Sequence, residues 1–465
     1  MKKNILDSVK KTHLIGIGGT GMSGLAKLLL DIDKKVSGSD NVLSPVLKQL
    51  AGKGVKIFCP QKAANVSAGK TELVIYSHAI FPDNPEYKKT IECRIPMLTY
   101  PEAVGCLMEK RRGIAVAGTH GKTTTSSLVV SILRKAGYSP SFLLGGEIKG
   151  LGNSGVGGSE LLVVEACEYK RSFLNYNPET AIITNIEEDH LDYYRDINDI
   201  KDAFLDFAGN VRGENGTVVY CADDANVSDI ARKLKKENTV SYGLKNGGWT
   251  ARNINFMKGT SKFDCFFEGK KCGSVKLGIS GMHNVQNSLA AIACARHLGV
   301  PWNGIKEGLS GFKGVHRRCE LLGKKKGVTV MDDYGHHPTE IMCTLECVKK
   351  MFPESRLIVV FQPHQYSRTR FLLKEFALSF SAADKVVVPD IYFVRDSIME
   401  KKLVNAQILV EKIRKNGREA LYLPAFEEIT EYLYEIVKPG DVVLTIGAGP
   451  VNKVAEDLLA RLAEK

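Results

Sequence analysis

Residues 114–124 read Ile114-Ala115-Val116-Ala117-Gly118-Thr119-His120-Gly121-Lys122-Thr123-Thr124, and this stretch decides the fold. The apolar run Ile114–Ala117 predicts a buried strand, the two glycines a tight loop, and a helix follows from Thr123 to about Lys135. Strand, glycine loop and helix in that order make a phosphate cradle, because the helix N-terminus presents free N–H groups and a positive dipole end. The loop departs from a strict Walker A motif, since Gly118 lies three residues before Gly121 rather than five. Its chemistry is nevertheless legible. The amides of Gly118, Thr119, His120 and Gly121 wrap the phosphates, and Thr124 continues the first helical turn. Lys122 supplies a cation near the β and γ oxygens, and the Thr123 hydroxyl suits Mg²⁺. ATP or GTP is the expected ligand. Lys122 is expected at an exposed loop–helix junction, where its loss costs little packing.

A nucleotide-hydrolysing site needs a carboxylate at a neighbouring strand end to hold the metal. Glu165 follows the apolar run Leu161–Val164 and meets that need. After a strand at Ala181–Thr184 comes Asn185-Ile186-Glu187-Glu188-Asp189-His190, a loop crowded with metal-capable groups. A lone histidine is most often a surface or capping residue, but the C-terminal edge of a nucleotide-binding sheet favours a ligand role for His190. A second glycine loop, Gly16-Ile17-Gly18-Gly19-Thr20-Gly21, stands between a strand at His13–Ile17 and a helix from about Gly21 to Asp31. Asp40 lies roughly twenty residues further on. On these residues alone a dinucleotide fold is the default, with Asp40 on a ribose hydroxyl. Any diphosphate nucleotide satisfies the same geometry, and a structural tight turn is the plain alternative.

Downstream, His283-Asn284-Val285-Gln286-Asn287 opens a helix that runs to Leu298. Amides at i and i+3 share a helix face, so Asn284 and Asn287 either read the edge of a base or face solvent behind an N-cap. Arg317-Arg318 clamps phosphate or pairs with surface acids. Two polar clusters follow strands, Asp332-Asp333-Tyr334-Gly335-His336-His337 and His364-Gln365-Tyr366-Ser367-Arg368-Thr369-Arg370. Strand ends of this kind are where open α/β sheets place ligands. No nucleophile elbow and no Ser/His/Asp order is evident.

The alternation of short β-branched runs with helical patterns continues through most of the chain and predicts parallel sheets. Strands are expected at Leu73–Tyr76, Val328–Met331, Leu357–Phe361, Lys385–Val388 and Val442–Ile446, and helices at Thr339–Met351 and Arg370–Ser381. The glycine-spaced stretch Gly243–Ser280 predicts hairpins at a sheet edge. Breaks near residues 98–112 and 311–327 divide the chain into three α/β domains, 1–108, 109–316 and 317–465. A length of 465 residues accommodates that number. The content of 44% hydrophobic and 25% charged residues is that of a soluble globular protein, and no stretch reaches the ~18 apolar residues that span a bilayer. A cytoplasmic protein with no membrane insertion is expected. The formal charge of +12 comes from scattered lysines such as Lys324–Lys326, which read as solvated loops rather than a nucleic-acid surface. A basic balance also steers anionic nucleotides. None of the eleven cysteines forms a CxxC pair, so reduced, partly buried thiols are expected.

Taken in order, GIGGTGMSGLA (16–26), AGTHGKTTT (117–125), HNVQNSLAAIA (283–293), DDYGHHPTEI (332–341) and FQPHQYSRTR (361–370) resemble the Mur ligase family over essentially the whole chain. They look like its members that join L-alanine to UDP-N-acetylmuramate. The resemblance implies an N-terminal Rossmann-like UDP-binding domain, a central P-loop ATPase domain and a C-terminal Rossmann-like domain that close around ATP. It replaces the dinucleotide by UDP-sugar at Gly16, Gly18, Gly19, Thr20, Gly21, Ser39 and Asp40. It implies Mg²⁺ on Thr123, Glu165 and His190, with Lys122, Glu165 and His190 catalytic. It places His283, Asn284 and Asn287 at the adenine and Arg317 at the nucleotide phosphates, with Tyr334, His364 and Arg368 around the amino acid. The implied reaction passes the γ-phosphate of ATP to the lactyl carboxylate, and the alanine amine then attacks the acyl phosphate. A monomer or weak homodimer is expected. Cys167, Gln365 and Pro450 stand where the family pattern carries aspartate, arginine and aspartate. The rival readings are a sister ligase that adds murein tripeptide, an NAD-dependent oxidoreductase that leaves the Lys122 loop unexplained, and a non-catalytic nucleotide-binding protein.

Overall fold

The computed structural model describes residues 4–464 apart from 258 and 395, so the first three residues of the N-terminal stretch lie outside it. Three sheets follow one another along the chain. The first is wholly parallel, in the spatial order Lys56–Phe58, Lys35–Ser39, Lys11–Ile15, Leu73–Tyr76, Met97–Thr99. Its strand order reverses beside Lys11–Ile15, and the loop leaving that strand carries the first glycine cluster. This is the crevice where open α/β sheets bind ligands.

The second sheet has ten strands. Its middle is parallel and runs Thr239–Tyr242, Thr217–Cys221, Thr180–Ile183, Arg112–Ala117, Leu161–Glu165, Ser141–Ile148. The expected hairpins Trp249–Met257, Thr260–Phe267 and Lys270–Leu277 extend one edge antiparallel. The helices Lys122–Lys135 and Met282–His297 pack together over the parallel strands. Small residues on the second of these, among them Ala290, Ala291 and Ala293, let the backbones approach closely while staying fully buried. The third sheet begins with an antiparallel edge strand, Glu320–Lys325, beside Val328–Asp333. Val442–Ile446, Leu357–Phe361, Lys385–Val388 and Glu419–Tyr422 then follow in parallel. Runs such as Leu-Ile-Val-Val-Phe at 357–361 are buried at every position, as strands covered on both faces must be.

The N-terminal and central units share one apolar core. The helix Thr20–Asp31 lies on the strands Ser141–Ile148 and Gly152–Gly155, and a Cβ on Gly24 would sit 2.7 Å from Leu143 and 2.9 Å from Ser154. Two local expectations need correction. The helix expected at Arg370–Ser381 starts earlier and breaks into Tyr366–Phe371 and Leu373–Leu378, with Leu372 at φ −104°, ψ 25° between them. The earlier start is fixed by Asp396, whose carboxylate accepts from the Ser367 N–H at 3.0 Å, a cap from outside the local sequence. Lys324 and Lys325, read as part of a solvated loop, lie instead on the strand Glu320–Lys325, where lysines on an edge discourage pairing with other chains.

Candidate active site

The Lys122 loop is shaped by two glycines. Gly118, at φ +140°, lies so close to Thr184 that a Cβ would meet its hydroxyl at 1.9 Å. Gly121, at φ +78°, caps the helix Lys122–Lys135 without any side-chain bond, so the first amides of that helix are left for a ligand. The Lys122 ammonium is not at an exposed junction as expected. It is folded back, donating to the Gly118 and Thr119 carbonyls and to both oxygens of the buried Glu168, at 3.1 and 2.9 Å. Burial alone would lower its pKa, but the acidic groups around it, Glu168 foremost and then Cys167 and Glu165, together outweigh that and raise it. Glu168 stands three residues after Glu165 in Glu165-Ala166-Cys167-Glu168-Tyr169, and nothing in that spacing singles it out.

Beside this pair, the Thr123 hydroxyl donates to Glu165 at 2.9 Å, and the Gly145 N–H donates to the same oxygen at 2.8 Å. A Cβ at Gly145 would stand 2.8 Å from that carboxylate, so the strand leaves room for Glu165 alone. Two hard oxygens side by side at a strand end fit Mg²⁺. The third expected ligand, His190, contacts the Glu168 end of this group. His190, at φ +55°, packs its ring on Tyr169 at 4.7 Å, with Nε2 3.9 Å from Glu168.

A cavity of about 290 Å³ opens on the other side of the loop, lined by His120, Gly121 and Thr124. His283, Asn284 and Asn287 line it too, so the structure brings together the residues expected at the base. Burial, and then the nearby Arg318, push His283 down to about 4, which keeps the imidazole neutral. The arginine pair is divided. Arg318 lines the cavity, whereas Arg317 turns away to Asp332 at 2.8 Å and to the Gly447 and Gly449 carbonyls at 2.7 and 3.1 Å. Sequence alone could not tell these neighbours apart. Arg317 ties the terminal glycine loop before Pro450 to the sheet, and both guanidiniums lie over the Tyr334 ring, at 5.4 and 5.1 Å.

A larger cleft, about 1020 Å³, lies between the three units and is lined by Gly19, Thr20, Gly21, Tyr100, Glu165 and Cys167 among others. Gly16 and Gly18 shape the loop behind it. Asp40 is occupied in holding that loop, accepting from the Gly18 and Asn41 amides at 2.9 and 2.8 Å. Ser39 faces inward, fully buried, and donates to Glu86, so its side chain does not reach the cleft. The amino-acid cluster is connected through His336, whose ring stands 5.4 Å from Tyr334 and 5.9 Å from His364. His364 Nδ1 is 3.3 Å from Arg368, and the buried Arg368 crosses to Asp189 of the central unit at 3.1 Å. Burial would raise the Asp189 carboxyl, but Arg368 together with His190, His337 and His336 outweighs it and holds it well below the usual range.

Glu340 was overlooked, although its position three residues after His337 is a capping-box spacing. It caps the helix Pro338–Met351 and faces His120 Nδ1 at 3.4 Å. His120 Nε2 is 3.4 Å from Glu187, which also accepts from Thr339 at 2.6 Å. Ligand-type atoms of His120, Glu187 and His337 lie within 4.8 Å of one another, yet all are committed. His337 donates to the Glu188 carbonyl and accepts from Thr339, and His120 is flanked by carboxylates on both sides. These groups therefore form an ion-paired lock between the central and C-terminal units.

Burial would lower the His120 imidazole, but Glu187 and Glu340 raise it to about 9, against 6.5 when free. A raised pKa stabilises the locked form fully below about pH 6.5, and the contribution fades as pH rises through about 9. The melting-temperature gap between the wild type and His120→Asn should accordingly be widest below about pH 6.5, shrink as the pH rises past neutrality and largely close by about pH 10. A gap independent of pH would contradict the lock.

Three matching family models run along the chain in order. These are the Mur ligase family, catalytic domain over residues 11–112, the Mur ligase middle domain over 116–295, and the Mur ligase, glutamate ligase domain over 317–449. The chain belongs to the Mur ligase family, and its three α/β units with mostly parallel sheets are the fold of that family. Within it, the chain is 46% identical over 458 residues to a UDP-N-acetylmuramate–L-alanine ligase of Caldanaerobacter subterraneus, covering 98% of each chain. It is 44% identical to the Clostridium novyi enzyme of the same name, covering 97% of this chain and 98% of that one. The crystal structure of UDP-N-acetylmuramate–alanine ligase from Thermotoga maritima matches with a TM-score of 0.81 at 30% identity, over 97% and 98% of the two chains. A murein peptide ligase from Psychrobacter arcticus matches with a TM-score of 0.71 at 27% identity, over 98% and 99%. No helix among the described residues is long and apolar enough to cross a membrane.

Proposed function

We infer that this chain is an ADP-forming ligase that joins L-alanine to the lactyl carboxylate of UDP-N-acetylmuramate, an early step of peptidoglycan precursor synthesis. The observation that carries this reading is the position of the Lys122 loop between two cavities. The smaller is suited to a nucleotide, with neutral His283 and two buried asparagines, and the larger can hold a sugar nucleotide. A γ-phosphate seated on the loop would point at the junction, where a carboxylate from the cleft can meet it. A carboxylate is a poor electrophile. Passing the phosphoryl group to it creates an acyl phosphate, and the alanine amine then expels phosphate with no enzyme nucleophile. The protein's work is positioning and charge stabilisation.

Lys122 would turn its ammonium to the phosphates when ATP is seated on the loop, and Glu168 keeps it charged and close by. Thr123 and Glu165 would hold Mg²⁺, which supplies charge neutralisation on the phosphates when bound. His190 is then a positioning group on the Lys122–Glu168 pair. Arg318 takes the role first given to Arg317. The enzyme acts as a monomer or weak homodimer in the cytoplasm.

The sister activity, addition of a murein tripeptide, shares the acceptor. ADP release measured with UDP-N-acetylmuramate and either L-alanine or tripeptide separates the two. Turnover with alanine alone is expected, and turnover with tripeptide alone would transfer the chain to the sister activity.

Arg368 was expected to bind the alanine carboxylate, but its partner here is Asp189 across the domain boundary. Removing it leaves a buried carboxylate uncompensated and loosens closure over both substrates. Arg368→Ala should therefore raise the KM for ATP and for alanine together. A rise confined to alanine would restore the carboxylate contact.

A further inference from the structure

Three cysteines gather at the wall of the nucleotide cavity, away from the Lys122 loop. Cys319 and Cys343 line it, and Cys347 lies one turn beyond Cys343 on the helix Pro338–Met351. The Cys319 thiol points at the Cys347 sulfur, 4.0 Å away. Cys347 is buried, and Cys319 is partly exposed through the cavity. We propose that Cys319 and Cys347 are a reversible oxidation site, forming a disulfide that weakens nucleotide binding in the adjoining cavity. Neither residue has a part in the ligation chemistry.

The geometry gives the disulfide a lever. Cys319 follows Arg318, the guanidinium that faces the cavity, and its own backbone is in the left-handed region at φ +47°. That conformation is unfavourable for a residue with a Cβ and is held in part by the Cys319 N–H donating to Asp333 at 2.6 Å. Cys347 abuts the start of the helix Met282–His297, since a Cβ on Gly281 would lie 3.2 Å from its sulfur. Bringing the sulfurs from 4.0 Å to bonding distance must draw the linker and the helix Pro338–Met351 together. Arg318 moves with the linker. The hydrogen bond that Cys319 donates makes Cys347 the more acidic thiol of the pair. Thiolate character and access decide which cysteines oxidise.

The oxidant is a peroxide small enough to enter the cavity. One sulfur of the pair attacks the O–O bond, becoming a sulfenic acid and releasing the first water. The second sulfur displaces the sulfenic oxygen as another water. Two thiols and one hydrogen peroxide thus give one disulfide and two waters, and a dithiol reductant reverses the step.

The effect on affinity rests on the nucleotide reading of the cavity, whereas formation of the bond does not, and one experiment reports both. The full-length protein is treated with hydrogen peroxide, its remaining thiols are alkylated, and it is digested without reductant while ADP affinity is measured in parallel. The expected result is a linked peptide joining Cys319 to Cys347, slowed by saturating ADP, with affinity falling by about tenfold and recovering in dithiothreitol. In Cys347→Ser, whatever its starting affinity, peroxide should leave that affinity unchanged. A peptide map in which these two residues stay reduced, or in which the link falls on Cys343, overturns the proposal. So does a disulfide that leaves ADP affinity intact, or an equal loss of affinity in oxidised Cys347→Ser. Failure of the untreated protein to bind ADP would instead count against the nucleotide reading, with the linked peptide still deciding the thiol pair.

Discussion

Lys122→Met should lower ligation by about 10²–10³-fold, the range for removing one preorganised charge contact from a transferring group. It should also destabilise the protein, contrary to the small packing cost expected of an exposed loop–helix junction. Glu168 is 4% exposed and takes two hydrogen bonds from the Lys122 ammonium. Taking away one partner of a buried pair costs about 3 kcal/mol, because the other charge is left uncompensated. The double variant Lys122→Met/Glu168→Gln separates the two effects. Its melting temperature should recover towards the wild type while its turnover stays at the level of the single variant. Recovery of turnover together with stability would mean that the lysine acts only by supporting the loop.

The second large effect is expected at the metal loop. Glu165→Ala should abolish magnesium-dependent turnover, by about 10²–10³-fold or more, and weaken magnesium-dependent nucleotide binding measured without any turnover. Glu165 is the hard oxygen beside Thr123, and Gly145 leaves it room. Cys167→Ser should be nearly silent. The thiol lines the same cleft, but burial first, and then Glu168, push it up to about 12, so it offers no thiolate, and magnesium prefers oxygen in any case. His190→Ala should be intermediate, acting through Glu168 and Lys122. A Cys167→Ser protein as inactive as Glu165→Ala would mean that the metal is held in another way.

The strands and the two glycine loops were legible because their signals are local. Apolar runs such as Leu357–Phe361 can only be covered on both faces, and a glycine loop between strand and helix has few uses. What escaped the sequence depends on partners far along the chain. The carboxylate of Asp396 moves a helix start to Tyr366, and Asp332 takes Arg317 while leaving Arg318 to the cavity. Ser39 and Asp40 lie beside the first glycine loop, yet Glu86 and the Gly18 amide claim them. Arg368 belongs to an interdomain contact because Asp189 is 179 residues away in sequence and 3.1 Å away in space. Glycine spacing and strand ends located the site, but which of two adjacent side chains faces it was decided by the fold.

The central claim is that the lactyl carboxylate is activated by phosphoryl transfer at the Lys122 loop. UDP-N-acetylmuramate labelled with ¹⁸O in that carboxylate tests it most directly. If an acyl phosphate forms and the alanine amine displaces phosphate, one labelled oxygen must leave with it. The account predicts ¹⁸O in the inorganic phosphate, dependent on L-alanine and ATP and lost in Lys122→Met. Product formation with unlabelled phosphate would contradict it.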